Sequence, residues 1–503
     1  MRFSRRHFLR STASAGTVVL GLREARAWFA EPGEPVVSPP KSPFLAGNFG
    51  PVHEEITVDR LDVIGKLPAG LQGMFVRNGP NPQFAPLGNY HWFDGDGMLH
   101  GVRLADGSAS YRNRYVQSEG WKEEREAGKA LYGGLADPID FKRILSGKPP
   151  FKNAANTALV WHDGRLLALW EGGPPTEVRV PELETVGLHT YNGKLRHAFT
   201  AHPKVDPITG EMLFFGYSAL SPFVHYSIVN PAGQLASTTS IKIRRPVMMH
   251  DFAVTEHYSI FMDLPAEFHM EQSSTKGTTL RFDHEQGSRF GVVPRHGSNG
   301  DVRWFESPAC FVFHTVNAYE DGDQVVLLAC RMPDYPEMLQ LKGPQQAGTL
   351  DPLGSAGAAL YRWRFNLKTG QTQEEPLDDV ASELPRVDER RLGRRTRFAY
   401  TMDVRSGRLI KYDLERGSSC YHDFGAGRTG GEPVFVPRSA SSAEDDGWLI
   451  TYVFDAADQR SELVVIESQD FSAPPLARVK IPARIPVGFH GTWIDAGKLQ
   501  PRG

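Results

Sequence analysis

From about Ile56 to the end of the chain, apolar residues come in short runs separated by turn signals. The clearest are Arg165-Leu-Leu-Ala-Leu-Trp170, Glu211-Met-Leu-Phe-Phe215, Ser259-Ile-Phe-Met262, Gln324-Val-Val-Leu-Leu-Ala-Cys330, Trp448-Leu-Ile-Thr-Tyr-Val453 and Glu462-Leu-Val-Val-Ile466. Each is short and rich in strand formers, and most follow Asp-Gly or Gly, so the pattern predicts strands. A helix is predicted over Glu119 to Leu131, a stretch dense in helix formers. Residues 131–156 read as loop or short helix, and 272–300 and 343–357 contain long polar or Gly-rich insertions. A β-rich chain of this length must protect its sheet edges, and a ring of four-stranded blades does so. No clear repeat of 40–50 residues marks such blades, so the pattern alone gives a large all-β protein.

Composition narrows the class. Of the 503 residues 40% are hydrophobic and 23% charged, enough apolar material for a large core. The 50 Gly and 37 Pro are dispersed, which fits many short elements joined by turns. No run approaches the roughly 20 apolar residues of a membrane-spanning helix. The first 27 residues read as an export signal, with the rest, 28–503, as one domain carrying a cap at about 116–156. Arg5-Arg6 followed by Phe8-Leu9, a weakly apolar run Ser11 to Leu22, and Ala25-Arg26-Ala27 together have the form of a twin-arginine signal with a small-residue cleavage site. The expected destination is the periplasm. Removal of that segment takes away six Arg and one Glu and moves the formal charge from −3 to −8. An acidic chain without a basic cluster argues against a nucleic-acid partner. Cys310, Cys330 and Cys420 lack metal-ligand spacing and read as free thiols.

Seventeen histidines carry no information by number, but four sit in unusual contexts. His202 lies in Thr200-Ala-His-Pro-Lys-Val-Asp206, His250 in Val247-Met-Met-His-Asp-Phe-Ala253, His314 in Cys310-Phe-Val-Phe-His-Thr-Val316 and His490 in Val487-Gly-Phe-His-Gly491. Three of them end or interrupt an apolar run. None is within a helical turn of another, so only tertiary structure could assemble them. A single buried His is ordinarily a hydrogen-bonded core residue, and spacing alone does not overturn that reading.

Asn78-Gly-Pro-Asn-Pro82, Phe93-Asp-Gly-Asp-Gly-Met98, Ala155-Asn-Thr-Ala158, Thr200 to Pro207, Met248-Met-His-Asp-Phe252 and Gly488-Phe-His490 strongly resemble the carotenoid cleavage oxygenase family. The resemblance runs from about Gly73 to His490, with the motifs in the family's order. It implies a seven-bladed β-propeller with a small helical dome over the metal face, and one iron(II) per chain held by His202, His250, His314 and His490. Imidazole suits iron, and four neutral ligands leave the metal its full charge and room for dioxygen. Zinc fits less well, because four protein ligands would close a tetrahedral site. By the same resemblance Glu171, Glu383 and Glu432 orient His250, His314 and His490, and His202 has no carboxylate.

The implied activity is oxygen-dependent cleavage of a C=C bond in a carotenoid or apocarotenoid to two carbonyl products. The substrates are then an apolar polyene and O2, with peripheral membrane docking through an apolar patch. Leu131 to Leu145 is the one weakly amphipathic candidate for that patch. Trp170, next to Glu171, is expected close to the metal. The lignostilbene-cleaving branch resembles this chain too, but it places a Lys where Trp170 stands and a Tyr where Leu135 stands; those two residues favour the polyene. A propeller that binds a ligand without catalysis is the rival from another class, and an isomerohydrolase has no supporting feature. Phe93-Asp-Gly-Asp-Gly-Met98 lacks the closing Glu and spacing of a calcium loop and reads, like Asn78-Gly-Pro-Asn-Pro82, as a structural turn.

Overall fold

The Asp-Gly pairs set the hairpins. In the computed structural model, which describes residues 42–135, 137–269, 280–335 and 357–499, Asp163-Gly164 joins Ala158–His162 to Arg165–Leu169, with both turn residues at positive φ (45° and 67°). Asp106-Gly107 does the same between Gly97–Ala105 and Ser108–Tyr115. These two-residue turns match the right-handed twist of the strands they join. Every predicted run is a strand: Arg165–Leu169, Met212–Tyr217, Tyr258–Asp263, Gln324–Met332, Gly447–Asp455 and Arg460–Glu467.

The strands form seven sheets of four to six strands and one separate hairpin, the arrangement of a seven-bladed propeller. Blade 1 contains Gly73–Pro80, Gly97–Ala105 and Ser108–Tyr115; blade 2 runs from Ala158 to Leu188; blade 3 from Lys204 to Lys242. Blade 4 runs from Ala253 to Ser307, blade 5 from Phe311 to Pro376, blade 6 from Ser382 to His422 and blade 7 from Arg428 to Lys480. The chain's two ends close the ring. Gly491–Asp495 pairs with Gly73–Pro80 of blade 1, and Val63–Gly65 pairs with Ala477–Lys480 of blade 7. Middle strands such as Gln324–Met332 are buried on both faces between neighbouring blades, so they read as apolar runs rather than alternation. Outer strands such as Leu235–Lys242 are mostly exposed.

Two stretches differ in detail from the sequence pattern. Within 272–300 lies a strand that the pattern did not single out: Ser288–Pro294 is the third strand of blade 4, with Phe290, Val292 and Val293 buried. Gly291 hides it in the sequence: the Trp304 ring on the paired strand lies across it, 2.8 Å from where a Cβ would be. The helix expected to reach Leu131 stops at Ala127. Ser118 caps its start, and Gly128 ends it in the left-handed region at φ 66°. Beyond it, the Leu131 and Tyr132 amides donate to Glu124 Oε1 instead of continuing the helix. Among the described residues of Leu131 to Leu145, only Phe141–Leu145 is α-helical. The export segment and the stretch 343–356 lie outside the described residues. Cys310 and Cys330 are buried and Cys420 half-buried, all as free thiols.

Candidate metal centre

Inner strands converge on the ring's axis, and each blade sends one polar residue of a common cluster from its inner part. His202 precedes Lys204–Val205 of blade 3, His250 precedes Ala253–Val254 of blade 4, and His314 sits on Phe311–Asp321 of blade 5 at a break in the strand register. His490 immediately precedes the closing strand Gly491–Asp495 in blade 1. The other three blades give carboxylates: Glu171 after Arg165–Leu169 of blade 2, Glu383 on Ser382–Arg386 of blade 6, and Glu432 before Val434–Pro437 of blade 7.

The four imidazoles meet. One nitrogen from each lies within 4.8 Å of all the others. Their rings are steeply inclined, His202 lying at 63°, 70° and 84° to His250, His314 and His490. Each of the last three turns its Nδ1 outward to a glutamate: His250 to Glu171 at 2.8 Å, His314 to Glu383 at 2.5 Å, His490 to Glu432 at 2.8 Å. A carboxylate accepting from Nδ1 fixes the tautomer and leaves Nε2 as a bare acceptor aimed inward. Among the described residues His202 makes no carboxylate contact; its Nε2 lies 2.9 Å from His250 Nε2.

Two observations show that these residues fit a cation. Nε2 of His202 and Nε2 of His250 lie 2.9 Å apart, with the His250 Nδ1 turned away to Glu171, so both inner nitrogens point into one shared space. His314 Nε2 is buried with no hydrogen-bond partner. Convergent bare imidazole nitrogens are what a divalent metal satisfies. Electrostatics pull the set in two directions. Burial, then the neighbouring imidazoles and Lys204, hold His202 well below its ordinary value. Burial likewise lowers His490 against the pull of Glu432. At His314 burial is outweighed by the Glu383 carboxylate, and the net direction is upward. Burial would raise Glu432, but Arg386 and His490 outweigh it and hold the carboxyl at about 2.

Beneath the histidines lies a buried network that sequence reading missed. Asp251 Oδ1 pairs with Lys204 Nζ at 2.7 Å, and its Oδ2 accepts from the Thr315 amide and hydroxyl at 2.8 and 2.7 Å. Asp251 and Thr315 directly follow His250 and His314, and Lys204 follows His202 by two. The network therefore ties together the inner parts of blades 3, 4 and 5 at the point where their histidines leave. Adjacency to each His was the available signal.

Above the histidines opens a cavity of about 350 Å³. His250, His314 and His490 form its floor, and Trp170 and Leu135 are both on its wall. Its remaining lining is largely apolar and aromatic, including Phe93, Phe313, Phe489, Tyr217 and Tyr335. Phe313 and Phe489 immediately precede His314 and His490, a signal that sequence reading left unused. Of the three glutamates only Glu171 reaches this cavity; its side chain is 19% exposed, against 0% for Glu383 and 2% for Glu432.

A family model described as Retinal pigment epithelial membrane protein matches residues 49–495. A carotenoid 9,10(9′,10′)-cleavage dioxygenase from Phaseolus vulgaris is 40% identical over 91% of this chain and 90% of its own. The chain belongs to the carotenoid cleavage oxygenase family. Among solved structures of this oxygenase family, lignostilbene dioxygenase from Pseudomonas brassicacearum superposes with TM-score 0.83 at 31% identity, over 92% of this chain and 100% of that one. The cobalt-substituted apocarotenoid oxygenase of Synechocystis gives 0.78 at 29%, over 88% and 96%. The propeller expected from the motifs is thus the architecture found, and this member of the family carries the four-histidine cluster on its axis.

Proposed function

We propose that this protein is an iron(II)-dependent dioxygenase that cleaves one C=C bond of a carotenoid or apocarotenoid, consuming O2 and giving two carbonyl products. The observation that carries the reading is an apolar, aromatic-lined cavity whose floor is three of four convergent imidazoles. Bound iron(II) would supply the activation of dioxygen. His202, His250, His314 and His490 are the residues that would hold it, with Glu171, Glu383 and Glu432 fixing the orientation of three of them. The cavity wall binds the polyene by apolar contact, keeps water from the reacting bond and aligns it over the histidines. No general acid or nucleophile is required, since the olefin and O2 together contain every atom of the two carbonyl products.

Polyene is favoured over stilbene by where the polar candidates point. Lys152 lies near Trp170, but its ammonium is held between Asp96 and Glu124 at 2.7 Å each. The Tyr132 hydroxyl donates to Glu123 at 2.6 Å. Neither is free to hold a phenol, and Trp170 and Leu135 supply neither an ammonium nor a hydroxyl at those two positions. The names of the 40%-identical relatives point to the 9,10 bond as the one cleaved. Incubation of the iron-loaded protein with a carotenoid panel and with a hydroxystilbene, followed by mass spectrometry, tests the reading. Aldehydes from a polyene are expected; cleavage of the stilbene alone overturns it.

Two further parts of the reading concern where the protein works. The twin arginine at residues 5–6 supports export in the folded state to the periplasm, and fractionation with a twin-lysine variant tests it. Exposed Leu87, Phe141, Ile144 and Leu145 support shallow docking on a membrane that supplies the substrate. Co-sedimentation with vesicles, compared with a Phe141→Glu variant, tests that.

A further inference from the structure

The motif Phe93-Asp-Gly-Asp-Gly-Met98 read as a turn in the sequence, and the structure gives its first acid another task. Asp94 is half-buried beside the segment that carries Leu135. Its Oδ1 accepts from the Leu135 amide at 2.9 Å and its Oδ2 from the His91 amide at 2.9 Å. The residues on either side of these bonds are cavity wall: His91, Trp92 and Phe93 on one strand of the clasp, Leu135 on the other. Gly134 exists to permit the approach, since a Cβ there would lie 2.2 Å from Asp94 Oδ2.

Other carboxylates hang the same segment. Glu124 Oε1 takes the Leu131 and Tyr132 amides, at 2.8 and 3.2 Å, and Asp137 Oδ2 takes the Gly134 amide at 2.9 Å. Residues 131–135 are in neither helix nor strand, so side-chain acceptors replace a ladder. Behind Leu135 lies a second, small cavity of about 60 Å³, which shares Phe93, Leu135, Phe151 and Trp170 with the first. Leu135 therefore stands as part of a partition, with open space on both sides.

We propose that Asp94 is a positioning residue that holds Leu135 in this partition, and that by doing so it sets how bulky a substrate end group the cavity accepts. The inference rests on the polyene-cleaving reading for its choice of ligand, but its geometry does not. With the clasp closed, Leu135 narrows the cavity against Trp170 and slender, acyclic polyene ends are favoured. With the clasp open, Leu135 can retreat into the second cavity and ring-bearing ends gain. Asp94 is also the acceptor here that is easiest to switch off. Burial raises its carboxyl to about 6, against the two amides, with Asp137 adding to the rise and Lys152 opposing it. The other groups around it are Asp96 and Glu124, both paired with Lys152, and Tyr90 and His91 from its own loop.

The test uses the full-length, metal-loaded protein and its Asp94→Asn and Gly134→Ala variants. Hydrogen exchange at the amides of 131–135 is expected to accelerate by roughly tenfold or more in Asp94→Asn, as loss of a bond to a charged acceptor implies. Binding of an acyclic and a ring-ended polyene aldehyde, read by quenching of tryptophan fluorescence, is expected to shift toward the ring-ended one with thermal stability little changed. In the wild-type protein the same preference should shift as pH falls through 6, and a ratio of two ligands cancels any titration at the histidines. Unchanged exchange in both variants, or faster exchange with an unchanged ligand ratio, overturns the proposal. A shifted ratio without any polyene cleavage supports the clasp and places the failure in the catalytic reading.

Discussion

Glu383 takes the Nδ1 proton of His314 at 2.5 Å, while its other oxygen, equally buried, meets no hydrogen-bond partner among the described residues. Glu432 does the same service for His490 in a different setting. Each also accepts a backbone amide, Glu383 from Leu384 at 2.9 Å and Glu432 from Gly491 at 2.7 Å, but Glu432 in addition faces Arg386 at 3.4 Å. The two carboxylates look equivalent from the histidines and are not equivalent to the fold.

Glutamine substitution should separate these roles. Glu383→Gln keeps the shape and removes the charge, so metal affinity should fall by about 10–100-fold with a small change in stability. Glu432→Gln leaves Arg386 short of its buried counter-charge, so it should cost about 3 kcal/mol of stability as well. Calorimetry with and without cobalt(II), a spectroscopically visible stand-in, reads both quantities. Equal stability losses in the two variants would contradict this account.

Metal should stabilise the fold by linkage. Four ligands drawn from four blades exist as a set only in the closed ring, so the unfolded chain has no comparable site. Metal at 100 times its dissociation constant should then add about 2.7 kcal/mol. His202→Ala and His250→Ala should each abolish that rise while leaving the metal-free midpoint nearly unmoved. A rise that persists in both variants would place the metal elsewhere.

Substrate preference should follow the cavity wall. The double variant Leu135→Tyr with Trp170→Lys introduces a hydrogen-bonding pair into a largely apolar wall. The ratio of hydroxystilbene to polyene turnover should increase by roughly tenfold or more. An unchanged ratio would mean that neither position selects the substrate.

Acid should act through Asp206, beyond the histidines on blade 3. Its Oδ2 accepts from Arg295 at 2.7 Å and Arg394 at 3.3 Å. Burial would raise its carboxyl, but the Thr209 and Ile208 amides and Arg295 outweigh that and bring it to about 2. A carboxyl held below its unfolded value stabilises the fold above the unfolded pKa and ceases to do so as pH drops through the folded one. The wild-type protein should therefore lose roughly 1–2 kcal/mol between about pH 4 and pH 2 from this group. Asp206→Asn should start lower and show a shallower slope in that window, read by thermal melts across the pH series.

Much of this was legible in the sequence because motifs sit at the inner ends of strands, where chemistry and chain pattern coincide. His250-Asp251-Phe252 and Gly488-Phe489-His490 announce themselves locally. The glutamates were legible only through the family's pattern, since Glu171 and His250 are 79 residues apart and meet across blades. The Lys204–Asp251–Thr315 network and the Asp94–Leu135 clasp were not legible. Each joins segments whose side chains have ordinary local roles, and only the closed ring brings them together. The strand Ser288–Pro294 was missed for a related reason, because Gly291 makes room for a ring that the sequence places elsewhere.

His490 stands one residue before Gly491–Asp495, the strand that closes blade 1. The last of the four histidines and the seam of the propeller are therefore one stretch of chain. A change that loosens the pairing of Gly491–Asp495 with Gly73–Pro80 would also displace His490 from the cluster. Ring closure and the geometry of the four-histidine cluster thus stand or fall together.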